Sequence, residues 1–290
     1  MFAFVPNISM SEAEFYQLKD FIYQYCGLFF GDDTKYLFEQ KLNKRLKQLR
    51  LSSFRDYYYV LRYGQDKVAE LASVIDLLTT NETYFFREPC QLRALTDEII
   101  PELCAQKEQQ GDRRLRIWSA GCSSGEEPYT IAMLLLESPR LIGWQLEVIG
   151  TDICQQVLQA ARRGVYGPNS FRVTDRYYRQ KYFKPSIKGE ERWQIADRVK
   201  SLVSISHLNL IDPRHIALLG PVDLVLCRNV IIYFDLESKR RAIGHLSRQL
   251  ADGGYLLLGH SESLINVSTD FKLCHLRHDM VYQRPQGGRK

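Results

Sequence analysis

The stretch Trp118-Ser119-Ala120-Gly121-Cys122-Ser123-Ser124-Gly125-Glu126-Glu127-Pro128-Tyr129 narrows the choice of fold more than any other in the chain. Leu115 to Ala120 reads as a strand and Tyr129 to Leu136 as a helical run. The two glycines between them form a turn with no Cβ to hold a ligand away from the backbone. The same grammar returns downstream. Leu146 to Asp152 is a second strand followed by helical Gln155 to Arg163, and Val222 to Cys227 is another, followed by a helix from Leu236 to Leu250. Asp252-Gly253-Gly254 then turns into the strand Tyr255 to Gly259. Strands alternating with helices predict an α/β fold with a parallel, doubly wound sheet. Residues 11 to about 80 follow a different pattern. Ser11 and Glu14 have capping-box spacing, and Phe38, Leu42, Leu46 and Leu49 share one helical stripe. Further helical stretches run through Tyr57 to Leu61 and Val68 to Leu78. The expected organisation is therefore a helical domain at 1–80, a linker at 81–90 and an α/β domain at 91–290.

Composition removes several classes of function. With 45% hydrophobic and 25% charged residues in 290, the chain is not a disordered one. The longest uncharged apolar run, Ile131 to Leu136, falls far short of the ~20 residues of a membrane helix. Met1-Phe2-Ala3-Phe4-Val5-Pro6 lacks the basic start of a secretory signal, so a soluble, cytoplasmic protein is expected, with no membrane insertion. Seven cysteines, none at C-x-x-C spacing, argue against a zinc site or a disulfide framework, and no metal is expected. The net charge of +5 is unevenly placed. Eight basic residues between Lys35 and Arg62, against Glu39 and Asp56, concentrate +6 there. No nucleic-acid-binding motif accompanies that charge, so nucleic acid is not the expected partner.

The residues after the glycine turn say what it can hold. A dinucleotide pyrophosphate or a nucleotide phosphate would sit on the positive end of the following helix. Glu126 and Glu127 occupy that end and repel phosphate, and no Lys-Ser/Thr pair follows the turn. Glu126 suits the helix dipole, while Glu127 is the better candidate for a ligand's ammonium group. Asp152, closing the second strand, is placed either to accept hydrogen bonds from ribose hydroxyls or to cap the next helix. Together these features describe a phosphate-free, positively charged nucleoside such as S-adenosylmethionine.

Five stretches carry a more specific resemblance: Asn81-Glu82-Thr83-Tyr84-Phe85-Phe86-Arg87-Glu88; the Trp118 to Tyr129 motif; Gly150-Thr151-Asp152-Ile153; Cys227-Arg228-Asn229-Val230-Ile231-Ile232-Tyr233-Phe234-Asp235; and Gly259-His260-Ser261-Glu262-Ser263. In that order, they make the chain resemble the chemotaxis-receptor methyltransferase (CheR) family. The resemblance implies a Rossmann-like S-adenosylmethionine-dependent methyltransferase fold with an N-terminal all-helical domain and a small inserted β subdomain at about 168–206. Trp193-Gln194-Ile195 and Val203-Ser204-Ile205 are candidate strands of that insert. The implied activity is methyl transfer to glutamate side chains on the cytoplasmic helices of transmembrane chemoreceptors, leaving S-adenosylhomocysteine. Methylation of another signalling protein and cofactor sensing without turnover stay open as alternatives.

Carried onto this sequence, the resemblance implies that Asn81, Thr83 and Arg87 reach the cofactor from the linker. Glu127 would meet its amino group and Asp152 its ribose, with Asn209 and Leu210 bordering the adenine. Arg228 and Asn229 would line the site, and Tyr233 would face the reacting end. Arg87 and Tyr233 are the catalytic candidates. A guanidinium suits either the methionyl carboxylate or the incoming glutamate, while Tyr233 reads equally well as core. The basic segment 35–62 is the expected receptor contact. In some members a glycine-rich turn of the insert docks a peptide at the receptor's C-terminus. Lys184 to Glu191 holds a single glycine, so no such tethering peptide is expected.

Overall fold

The computed structural model describes residues 7–186 and 191–287. The capping box forms: the Ser11 hydroxyl accepts the Glu14 N–H at 3.3 Å, and the Glu14 carboxylate accepts the Ser11 N–H at 2.9 Å, opening α1 (Glu12–Cys26). Gly27, at φ 72°, ends it in the left-handed region that glycine adopts without strain. Three more helices follow, α2 (Lys35–Leu49), α3 (Phe54–Tyr63) and α4 (Lys67–Leu78). The stripe Phe38, Leu42 and Leu46 is fully buried with Phe15, Leu18 and Ile22 of α1, and the rings of Phe15 and Phe38 meet edge-on at 5.3 Å.

The basic segment divides in two. The Arg45 guanidinium grips the buried Glu70 carboxylate at 2.8 and 2.5 Å, and the Tyr57 hydroxyl donates to it at 2.6 Å. Lys35 pairs with Glu12 at 2.7 Å, and half-buried Lys41 points at the Leu78 carbonyl. Lys44, Lys47, Arg50, Arg55 and Arg62 remain exposed. The charge available to a partner is smaller than the sequence count, because a buried carboxylate needs its own cation.

Beyond the linker, α5 (Pro89–Ala94) runs through a π turn, Leu95–Ile99, into α6 (Ile100–Gln109). The α/β domain then unfolds in order: β1 (Arg114–Ala120), α7 (Glu126–Glu137), β2 (Gln145–Asp152), α8 (Gln155–Arg163), β3 (Val165–Tyr166), α9 (Arg176–Tyr182), β4 (Phe183–Pro185), β5 (Trp193–Ile195), α10 (Asp197–Lys200) and β6 (Val203–His207). It ends with α11 (Pro213–Ala217), β7 (Val222–Cys227), α12 (Leu236–Gln249), β8 (Leu250–Leu258), β9 (Lys272–His275) and β10 (Met280–Gln283). The main sheet has the order β6-β2-β1-β7-β8-β10-β9, and β3, β5 and β4 make a second, three-stranded sheet.

The expected Rossmann-like core is present, with three local differences. The sheet is mixed, since β10 pairs antiparallel with both β8 and β9. Val203-Ser204-Ile205 lies in the main sheet and not in the insert, with Val203 opposite Val148 and Ile205 opposite Gly150 in a parallel pairing. It is an edge strand exposed on much of its length, so it lacks the continuous apolar run of a central strand. Asp252-Gly253-Gly254 is no turn before the last parallel strand but an irregularity inside β8, where the register jumps from Val222–Leu250 to Leu224–Tyr255. Of the Lys184 to Glu191 stretch, Ile187 to Glu190 lie outside the described residues.

The helical domain is docked on the sheet's carboxyl end. The Phe29 N–H donates to the Tyr233 carbonyl at 2.9 Å, the Tyr23 hydroxyl to Asp235 at 2.9 Å, and the Asn209 amide to the Tyr25 carbonyl at 2.7 Å. A Cβ at Gly27 would lie 2.9 Å from both Ile211 and Ser238, so glycine permits this close approach. One apolar core runs from α1 and α2 through Leu210 and Ile211 to Ile243 and Leu246 of α12.

Candidate active site

In an open parallel sheet, ligands bind where neighbouring connections leave in opposite directions. Here that point lies between β1, whose chain continues to β2, and β7, whose chain continues to β8 on the other side. The glycine turn leaves β1 and the Arg228–Tyr233 segment leaves β7. Between them lies a cavity of about 240 Å³, roofed by Cys26, Leu28 and Phe29 of the helical domain. All ten candidate residues line it: Asn81, Thr83, Arg87, Glu127, Asp152, Asn209, Leu210, Arg228, Asn229 and Tyr233.

The turn is shaped by close backbone approach. Gly121 has φ 87°, and a Cβ there would run into Val230. The N–H groups of Gly121 and Cys122 both reach the Thr151 carbonyl at 2.8 Å, and the Ser123 N–H donates to Asp152 Oδ2 at 2.8 Å. Asp152 Oδ1 accepts the Cys154 N–H at 2.9 Å. The helix cap of α8 is Cys154, not Asp152. This buried carboxylate keeps lone-pair capacity beyond its backbone donors.

Glu127 is held between the Ser119 hydroxyl at 2.7 Å and Arg228 Nη1 at 3.2 Å. Glu126 turns away, accepting the hydroxyls of Ser124 at 2.7 Å and Ser170 at 2.9 Å. Arg228, nearly fully buried, also pairs with Glu88 at 3.0 Å and donates to the Arg87 carbonyl at 2.7 Å. It ties the linker to β7. Arg87 itself has no ion pair among the described residues; its one hydrogen bond goes to the Glu82 carbonyl at 3.2 Å. Its neighbours' carboxylates have other partners, Glu88 with Arg228 and Glu82 with Arg172. Tyr233 is 39% exposed and is not core. The Asn209 amide holds the helical domain: its donor goes to Tyr25, and its oxygen takes the Ile211 N–H at 3.0 Å.

One residue escaped the sequence reading. The Glu262 carboxylate accepts four backbone N–H groups: Gly259 and Asn229 on one oxygen, both at 2.7 Å, and Val230 at 2.9 Å and Ile232 at 3.2 Å on the other. It clamps the turn that carries Asn229, which sits at φ 59°, and Tyr233. Its place in the Gly259 to Ser263 stretch was the only sequence signal, because backbone donors leave no trace in residue type.

The cavity fits a phosphate-free cation with ribose. It is edged by two carboxylates, half-buried Glu127 and buried Asp152, and the buried Asn229 Oδ1 has no hydrogen-bond partner among the described residues. Such an atom needs a donor from a ligand or water. Burial pushes both carboxyls above their ordinary range. Arg228 and Ser119 draw Glu127 back, and the N–H groups of Cys154 and Ser123 draw Asp152 back. A raised carboxyl takes up its proton at higher pH than a free one and then no longer neutralises a cation. Affinity for S-adenosylhomocysteine should therefore fall on acidification, starting above the ordinary ~4.3 of glutamate. Calorimetric titration from pH 8 to pH 5 checks this; a flat profile would count against a role for these two groups.

The comparisons with known proteins agree. Residues 13–79 match the CheR methyltransferase all-alpha domain and residues 81–280 the CheR methyltransferase SAM binding domain. The chain is 36% identical over 284 residues to chemotaxis protein methyltransferase 2 of Vibrio cholerae, covering 98% of this chain and 96% of that protein. It is 34% identical over 281 residues to chemotaxis protein methyltransferase 1 of Pseudomonas aeruginosa, covering 95% and 99%. A glycine turn backed by carboxylates, a linker arginine free to meet an anion and a near full-length match lead to one assignment: the chain belongs to the CheR methyltransferase family, and S-adenosylmethionine is its methyl donor.

Proposed function

We propose that this protein methylates glutamate side chains on the cytoplasmic helices of chemoreceptors, working in the cytoplasm. The observation that carries the reading is Arg87, a cation with no carboxylate at ion-pair distance among the described residues, at a cavity that half-buried Glu127 and buried Asp152 make hospitable to a sulfonium nucleoside. An enzyme acting on an anionic acceptor needs such a group.

Bound S-adenosylmethionine supplies a methyl group activated by positive sulfur. The protein's task is placement. Glu127, fixed by Ser119 and Arg228, is set to take an ammonium group, and Asp152 to accept from ribose hydroxyls. The acceptor carboxylate, ordinarily ionised above ~4.3, needs no base to become a nucleophile, and among the described residues no histidine lines the cavity. Alignment of oxygen, carbon and sulfur with exclusion of water can contribute up to ~7–11 kcal/mol. Tyr233 and Phe29, joined by their backbone bond, form part of the cavity wall.

Incubation with radiolabelled S-adenosylmethionine and receptor cytoplasmic fragments tests the reading. Base-labile label on the fragments is the expected result. Label only on other proteins, or binding without transfer, would replace it with another methyl acceptor or with a sensor. The exposed cations of α2 supply attraction for the acidic receptor helices. Lys44→Glu with Lys47→Glu should lower kcat/KM for receptor fragments by about tenfold at low salt and leave S-adenosylhomocysteine affinity unchanged. An equal loss of both would mark a folding defect instead.

A further inference from the structure

A second guanidinium stands beside Arg87. The inserted segment brings Arg172 over the Tyr84 ring at 3.7 Å, while Arg87 lies 5.7 Å from the same ring. Both also hold Glu82, Arg87 through its carbonyl at 3.2 Å and Arg172 through its carboxylate at 2.8 Å. This arrangement is built into the fold. The Phe85 N–H donates to the Ser170 carbonyl at 2.9 Å, and the Phe85 ring stacks on Phe171 at 5.3 Å, locking the insert to the linker beside the cluster.

The two arginines differ in depth. Arg87, Glu82 and Tyr84 line the cavity and Arg172 does not. Arg172 is thus placed for an anion outside the cavity, next to whatever enters it. Its bond to Glu82 joins two exposed side chains, 45% and 69% accessible, a kind of pair that water and competing anions exchange readily. The stack on Tyr84 keeps the guanidinium plane oriented when the carboxylate partner changes.

We propose that Arg172 is a specificity-determining residue that pairs with a second acidic side chain of the acceptor helix, one turn from the glutamate being methylated. Side chains at i and i+3 or i+4 lie about 5–6 Å apart at Cβ, so two acids at that spacing can meet two neighbouring cations, here at 3.7 and 5.7 Å from one ring centroid. The inference rests on the reading of a helical, glutamate-bearing acceptor. It adds that the acceptor is recognised as a pair of acids, one reacting and one read by Arg172.

The test uses the full chain and two receptor fragments, one with its native acids around the methylated glutamate and one with those at i±3 and i±4 changed to glutamine. Arg172→Ala should raise KM about tenfold for the native fragment, keep kcat within twofold, and weaken fragment binding measured calorimetrically without donor. It should leave S-adenosylhomocysteine affinity intact, which also reports an intact fold. Arg172→Lys should recover part of the loss. On the neutralised fragment wild type and Arg172→Ala should be equal. An unchanged KM, a fall in kcat alone, or the same KM change on both fragments overturns the proposal. Absence of any wild-type transfer to either fragment strikes the parent reading, and this one with it.

Discussion

Arg87→Ala should lower kcat/KM for methyl transfer by about 10²–10³, the loss typical when one preorganised donor to a charged reacting group is removed. Arg87 has no competing ion pair among the described residues, and its backbone is anchored because the Arg228 guanidinium donates to the Arg87 carbonyl at 2.7 Å. The side chain is thus free to serve an anion while its origin stays fixed. Arg87→Lys keeps the charge but loses the planar fork, so a partial recovery is expected. Titration with S-adenosylhomocysteine separates the two possible anions. Lost product affinity would identify the methionyl carboxylate as its partner, and retained affinity with lost turnover the acceptor carboxylate of the proposed reaction. Wild-type kinetics in Arg87→Ala would remove Arg87 from the mechanism.

Glu262→Gln should be nearly as damaging, although the carboxylate lies behind the turn. Glutamine offers one acceptor oxygen where glutamate offers two, and its NH₂ would face N–H groups that Glu262 now accepts. A buried N–H left without a partner costs about 1–3 kcal/mol, less where water reaches it as at Ile232, and two of the four would lose their acceptor. The turn should shift to regain partners, moving Asn229 and Tyr233 together. We expect about a 10²-fold loss of S-adenosylhomocysteine affinity along with a lowered melting temperature. Ser263→Ala, whose hydroxyl reaches Tyr282 and the Ile265 N–H but not this turn, should change neither appreciably. Product affinity and melting equal to wild type in Glu262→Gln would show that the turn holds its shape without the clamp.

The parts of the fold legible from residue order are those in which burial is expressed along the chain. β1, β2 and β7 are inner strands buried over four or more consecutive residues, and the stripe on α2 repeats at helical spacing, so both announce themselves. Edge elements do not. β6 alternates between partly buried and exposed positions, and β9 and β10 are four residues each, too short to show a period. The glycine turn and its two glutamates point to a phosphate-free cation by residue type alone, because charge at a helix N-terminus is a local property. The other candidate positions came with the family resemblance, and the structure gathers them around one cavity.

Local patterns, then, were enough for the strand–turn–helix core, the helical first domain and the chemical character of the ligand. Contacts between distant segments were needed for the rest: that Arg45 belongs to Glu70 and not to a partner, that Asn209 holds Tyr25, that Glu262 clamps the turn after β7, and that Arg172 shares a tyrosine ring with Arg87. A side chain's charge is written in the sequence. Its counterpart comes from another part of the chain, and only folding brings the two within hydrogen-bond reach.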